Sequence, residues 1–212
     1  EIHDILDPRT TVMKGSQMGV TEVIANRELH TLWRGLSSIH LLPASDEALD
    51  FSDGRFKPAV ENSPMLVDLF EKTDNKGHKV TKQGANAYFR GGKSRSKVKS
   101  SPANFLGIDE YEEIPAEIVE LARDRVGGQV AGQRWELNIS TPVNPNTGIH
   151  LAFLRGDQRL YFMPCPCCGE WTSFDWWTGL GDDRKPNLWR DEEGGMTLGC
   201  TVNACRIPES EM

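Results

Sequence analysis

Lys14-Gly15-Ser16-Gln17-Met18-Gly19-Val20-Thr21 is the stretch on which the fold turns. A β-prone run, Thr10-Thr11-Val12-Met13, feeds into it, and Val23, Ile24, Leu29 and Leu32 leave it with helical spacing. A strand that passes through glycines into a helix can cradle phosphate, because the first N–H groups of the helix have no intrahelical partner. The standard phosphate loop, G-x-x-x-x-G-K-[ST], places a Lys just before its hydroxyl residue. Here Gly19 and Thr21 fill the last Gly and hydroxyl positions, and Val20 stands where the Lys belongs. Lys14 opens the same octet. A loop wrapped around an anion brings its two ends together, so an ammonium at either end can serve it. Thr21 keeps its hydroxyl for Mg²⁺. Read for packing alone, the octet is a glycine-rich strand-to-helix turn.

Working outward, Ser38-Ile39-His40-Leu41-Leu42, closed by Pro43, reads as a buried strand. Ser45-Asp46-Glu47-Ala48 reads as an acidic helix start. A further helix is expected after Ser63-Pro64, through Met65, Leu66, Leu69 and Phe70, because Pro suits a first helical position. Residues 73–86 are polar, an exposed connection or hairpin. A strand is expected at Phe105-Leu106-Gly107-Ile108, then a helix near Pro115 with Ile118, Leu121 and Ala122 on one side. Residues 134–139 alternate like a strand and end at Ser140-Thr141-Pro142. This order predicts a layered α/β sheet.

Two strand ends carry chemistry. Asp109-Glu110 follows an apolar strand, and successive side chains leave a strand in different directions. In nucleotide hydrolases such a pair divides the work: one carboxylate supports Mg²⁺, and the other orients the attacking water. The packing alternative is a solvated acidic helix start, to which Glu112 and Glu113 are assigned. Ser140 and Thr141 offer small hydroxyls at the next strand end, suited to sensing a γ-phosphate or simply to ending a strand. Arg90, Lys93, Arg95, Lys97 and Lys99 put five positive charges into ten residues. They can stabilise charge on a phosphate, meet DNA phosphates, or form a solvated loop.

The chain has 212 residues, enough for one ordinary domain and a small appendage. Lys plus Arg number 24 against 31 Asp plus Glu, a net charge of −7. A nucleic-acid coat over the whole surface is excluded, so any such contact must be local. No run approaches the ~20 apolar residues of a membrane span, and no secretory leader pattern is visible. A start at Glu1 and a stop at Met212 suggest a fragment of a longer protein.

The cysteines mark a second segment. All five (Cys165, Cys167, Cys168, Cys200 and Cys205) lie in the last quarter. An odd, clustered set argues against a distributed disulfide framework. Cys165 and Cys168 form a C-x₂-C knuckle, with Gly169 free to make the tight turn. With Cys200 and Cys205 they make a four-thiolate set for structural Zn²⁺. The 31 residues between the pairs exceed the usual spacing of about 15–20. A hairpin with Trp171, Phe174, Trp176 and Trp177 can fill that gap. Cys167 is a spare thiol, able to replace Cys168 in a shifted knuckle. The alternative is buried free thiols or one disulfide. The expected organisation is residues 1–157 as a P-loop ATPase domain and 158–212 as the Cys-rich segment.

In this order, the loop, the acidic strand end and Ser140-Thr141-Pro142 resemble the ATPase domain of phage terminase large subunits, lambda-like branch. The likeness includes Leu41-Leu42-Pro43-Ala44, then Ala48-Leu49-Asp50-Phe51-Ser52, then residues 58–66 with Asn62-Ser63-Pro64. Many members of that branch carry a displaced basic residue at the start of the loop, as Lys14 is here.

The resemblance implies a RecA-like P-loop NTPase sheet flanked by helices, followed by a small β-rich, zinc-ribbon-like segment. It implies ATP on Lys14, Gly15, Ser16, Gln17, Met18, Gly19, Val20 and Thr21. It makes Lys14 and Glu110 catalytic, Thr21 and Asp109 the Mg²⁺ supports, and Ser140 and Thr141 the coupling motif. The implied activity is ATP-driven packaging of double-stranded DNA into a procapsid. That work proceeds in the host cytoplasm at the portal vertex, with a portal protein and a small terminase subunit, in a homo-oligomeric ring. The family's nuclease domain has no counterpart in these residues. Two rivals are a helicase-like translocase and a non-catalytic zinc-ribbon adaptor on a degenerate nucleotide fold. Val20 is the strongest argument for the adaptor.

Overall fold

The structure is a computed structural model that describes residues 7–70, 75–130, 132–173, 177–178, 185–190 and 194–208. The chain divides into two compact units, Glu1–Asp157 and Gln158–Met212.

The first unit is a six-stranded sheet with helices packed on it. Its strands are β1 (Arg9–Met13), β2 (Ser38–Leu42), β3 (His78–Val80), β4 (Asn86–Gly91), β5 (Phe105–Ile108) and β6 (Trp135–Ser140). Their spatial order is β1-β6-β5-β2-β4-β3, parallel throughout except for β3, which pairs antiparallel with β4 at the edge. The last strand in sequence, β6, therefore lies between the strand leading into the loop and the strand that ends in Asp109. The residues of β2 and β5 are all buried, as strands covered on both faces must be. Residues 134–139 read as alternating, yet from Glu136 onward β6 is buried at every position. With neighbours on both edges and helices on both faces, it has no solvent side.

Helix α1 (Thr21–Trp33) buries Val23, Ile24, Leu29 and Leu32, the residues whose spacing predicted it. Gly107 lets it lie close to β5, since a Cβ there would run into the Ile24 side chain. Helix α2 (Ser45–Phe51) starts where the acidic turn predicts, and Glu47 Oε2 accepts the Ala44 N–H at 3.1 Å.

The helix expected after Ser63-Pro64 does not form. The helical path continues from α2 through a π-turn (Ser52–Phe56) into α3 (Lys57–Glu61), and residues 63–69 make successive turns. Pro58 has no N–H to give the carbonyl four residues earlier, so the π-turn loosens the helix ahead of it. Of the apolar residues beyond, Leu66, Leu69 and Phe70 reach the core while Met65 and Val67 stay exposed. That is too little burial to hold a further helix.

Helices α4 (Arg95–Lys99) and α5 (Ala116–Gly127) follow. Helix α5 buries Ile118, Val119, Ala122 and Val126, with Leu121 at the margin. A final short helix, α6, spans Gly148–Leu154. At the N-terminal end of β6, Glu136 binds Arg123 of α5 through Nη2 at 2.8 Å and Arg9 of β1 at 3.1 Å. This pairing ties helix and strands together on the side away from the loop.

The second unit is β-rich. Strands β7 (Phe162–Pro164) and β8 (Trp171–Ser173) form one hairpin, and β9 (Trp177–Thr178) pairs with β10 (Lys185–Pro186). Strands β11 (Leu188–Arg190), β12 (Met196–Gly199) and β13 (Arg206–Pro208) form an antiparallel three-stranded sheet. Of the aromatic residues expected in this region, Trp171 is exposed at the end of β8. Phe174 and Trp176 lie outside the described residues.

Candidate active site and metal centre

The C-terminal ends of β1, β6 and β5 lie side by side, and the chemistry-bearing residues sit there. Lys14 follows β1 directly, and its N–H donates to the Ser140 carbonyl at 3.0 Å. Gly15 to Gly19 are exposed, with Gln17 at φ 58 and Gly19 at φ 69, so the loop turns sharply before α1. Val20 occupies the cap position of α1 and supplies no side-chain acceptor. A Ser, Thr, Asp or Asn there would take up a first-turn N–H. With Val, those donors turn instead to loop carbonyls: the Glu22 N–H donates to the Gly19 carbonyl at 3.1 Å and the Val23 N–H to the Val20 carbonyl at 2.9 Å.

Thr21 Oγ1 donates to Asp109 Oδ2 at 2.8 Å, across 88 residues of sequence. Asp109 is buried, and its other oxygen accepts the Glu110 N–H at 2.9 Å. Lys14 Nζ lies 3.0 Å from Glu110 Oε1, its side chain only 8% exposed while Glu110's is 41% exposed. The displaced ammonium thus points inward at the acidic pair. Ser140 Oγ, fully buried, lies 3.4 Å from Glu110 Oε2. Thr141 contributes its carbonyl, 3.3 Å from that hydroxyl. Lys14, Thr21, Asp109, Glu110 and Ser140 meet in one place. Glu110 adopts the left-handed conformation, φ 50 and ψ 53, which is uncommon for a residue with a side chain.

The basic stretch is split by the fold. Arg90 is absorbed at the end of β4: Nε donates to Ser101 Oγ at 3.0 Å, Nη1 donates to the Gly77 and Phe89 carbonyls, and the guanidinium covers the Tyr88 ring. Lys93, Arg95, Lys97 and Lys99 are exposed on and before α4. The paired glycines here serve packing, because a Cβ on Gly91 would strike the Ala44–Ser45 backbone.

Sequence reading passed over one buried pair: His40 Nδ1 of β2 lies 3.1 Å from Glu28 Oε2 of α1, with both side chains almost fully enclosed. Burial raises the Glu28 carboxyl, against the pull of His40. In Ser-Ile-His-Leu-Leu the His simply continues an apolar run, so no local signal marks it.

In the second unit, the Sγ atoms of Cys165, Cys168, Cys200 and Cys205 all lie within 4.8 Å of one another. Cys168 and Cys200 are 3.9 Å apart. Four thiolates at the ~2.3 Å Zn–S distance would have edges of ~3.8 Å, so the set fits a tetrahedral ion. It does not fit a disulfide, and all five cysteines are free thiols.

The two knuckles share one geometry. The Gly169 N–H donates to the Cys165 carbonyl at 2.8 Å, and the Ala204 N–H donates to the Cys200 carbonyl at 2.9 Å. Both donors have positive φ, 76 and 53. Burial pushes the Cys200 thiol up, but N–H groups of Asn203 and Val202 and the Thr172 hydroxyl outweigh it and bring it down to about 7. The Asn203 side chain lowers Cys168. Cys167 is exposed and stands outside the four.

A parallel sheet with a phosphate-type loop at one strand end, and an extra strand between that strand and the acidic one, defines the RecA-like class of nucleotide-hydrolase folds. The profile described as phage terminase large subunit gpA, ATPase domain, matches residues 3–205, and the chain belongs to that family. Among solved structures, the large terminase ATPase domain of Thermus phage P74-26 superposes with a TM-score of 0.62 at 19% identity, covering 81% of this chain and 74% of that one. A large terminase from another thermophilic bacteriophage superposes with a TM-score of 0.54 at 15% identity, covering 72% of this chain and 38% of that one. At these identities the likeness is one of fold. No curated protein matches the sequence.

Proposed function

We propose that this chain is the ATP-hydrolysing motor module of a DNA-packaging terminase, driving double-stranded DNA through a portal into a procapsid in the host cytoplasm. The observation that carries the reading is the meeting of Lys14, Thr21, Asp109, Glu110 and Ser140 at adjoining strand ends. Residues 1–157 do the chemistry. The amides of the loop and the start of α1 receive the phosphates, and the Lys14 ammonium moves from Glu110 to the triphosphate. Thr21 and Asp109 would hold Mg²⁺, which supplies charge neutralisation at the phosphates. Glu110, released from Lys14, orients the attacking water and takes its proton. Ser140 and Thr141 register loss of the γ-phosphate. Catalysis is positioning and charge stabilisation.

Lys93, Arg95, Lys97 and Lys99, exposed on and before α4, would act on a neighbouring subunit's nucleotide or on DNA phosphates within a ring. The small terminase subunit and the portal protein are the protein partners.

A packaging assay with procapsids, the intact large subunit and linear duplex tests the reading. ATP should make the DNA resistant to added nuclease, and a non-hydrolysable analogue should not. Protection independent of hydrolysis overturns the motor. Strand separation in place of uptake would mark a helicase-like translocase.

In residues 158–212 the four cysteines would hold structural Zn²⁺, and so small a core would draw much of its folding free energy from the metal. Freshly purified protein should carry about one zinc per chain by mass spectrometry. Cys165→Ala and Cys200→Ala should lose it, and Cys167→Ala should keep it. Zinc content near zero in the parent removes the ribbon.

A further inference from the structure

We infer that Glu112 is a positioning residue for the reaction: by clamping the turn after the acidic pair to β6 and α6, it sets where the Glu110 carboxylate points. The inference rests on the motor reading of the site. Glu110 sits in the left-handed region, which a side-chain-bearing residue rarely adopts unaided, so the surrounding structure must hold it there. The chain then makes a single 3-10 turn, Tyr111–Glu113, too short to hold itself.

Glu112 anchors that turn at two points. Its N–H donates to Ser140 Oγ at 3.3 Å, the same hydroxyl that approaches Glu110 Oε2. Its Oε1 accepts the Ile149 N–H at 2.9 Å, in the first turn of α6. Gly148, at φ 48, makes room for this contact, because a Cβ there would fall on the Glu112 carboxylate. A solvated acid in a helix start would have none of these ties. The residue therefore joins the end of β5, the end of β6 and α6 around one hydroxyl and one carboxylate. A shift in the turn would carry Glu110 with it, and misplacement by about 1 Å can cost a hundredfold in rate.

The test is steady-state ATP hydrolysis by the full chain, with Glu110→Gln measured alongside. Glu112→Ala should lower kcat roughly 10- to 100-fold while KM for ATP stays at the parent value. Glu112→Gln keeps an oxygen for the Ile149 N–H and should recover most of kcat. Gly148→Ala displaces the carboxylate while leaving Glu112 in the chain and should lower kcat in the same way. It keeps the inference testable if Glu112→Ala does not fold. Parental kcat in Glu112→Ala overturns the inference, as does a Glu112→Gln variant as slow as the Ala variant, or a loss confined to KM. If Glu110→Gln itself turns over like the parent, the motor reading has failed. If Glu110→Gln is inactive and Glu112→Ala is normal, only the role of Glu112 has.

Discussion

Glu110→Gln is expected to bind Mg·ATP as tightly as the parent and to hydrolyse it about 10²- to 10⁴-fold more slowly, the range lost with a general base. The amide keeps the shape of the carboxylate and the contact of its Oε1 with Lys14 Nζ, 3.0 Å away in the parent, but it cannot take a proton from water. Asp109 and Thr21, which hold each other at 2.8 Å, are untouched, so the metal supports and the loop survive. Affinity should if anything rise, since Lys14 no longer divides its charge between carboxylate and phosphate. Titration with a fluorescent ATP analogue and single-turnover phosphate release measure the two quantities separately. Parental turnover by this variant removes Glu110 from the chemistry.

Lys14→Ala should fail at the earlier step. A hydrogen bond to a charged group contributes about 1.5–3 kcal/mol, so ATP affinity should fall roughly 10- to 100-fold. Hydrolysis should fall further, because the γ-phosphate loses a cation where charge develops. The site also offers a relocation test. Val20 stands where the standard loop keeps its Lys, so Lys14→Ala combined with Val20→Lys should regain much of the lost affinity. Lys14→Ala with unchanged affinity and turnover would mean that the inward-pointing ammonium serves only the Glu110 pair.

Most of the elements were legible in the residues because they are encoded locally. Val23, Ile24, Leu29 and Leu32 on one helical face mark α1, and unbroken apolar runs mark β2 and β5. Paired cysteines, the first pair followed by Gly169, mark the knuckles. Residues 63–70 misled because Ser-Pro before apolar residues is a sound local helix signal. The exposure of Met65 and Val67, which leaves too little apolar surface to bury, decided otherwise. The tight packing against Gly91 and Gly107 was equally invisible, since a glycine does not announce what lies against it.

From composition and order alone come an α/β layer, a strand-loop-helix suited to phosphate, carboxylates at a strand end and a thiolate set. Each depends on neighbours within a few residues, or on residue type. Tertiary structure alone inserted β6 between β1 and β5, and so brought Ser140 to Glu110. It turned the Lys14 side chain inward across 96 residues, gave Glu110 its left-handed backbone and set the Glu112 carboxylate on α6. Those pairings arise from sheet order and side-chain packing between distant segments, and no local periodicity carries that information.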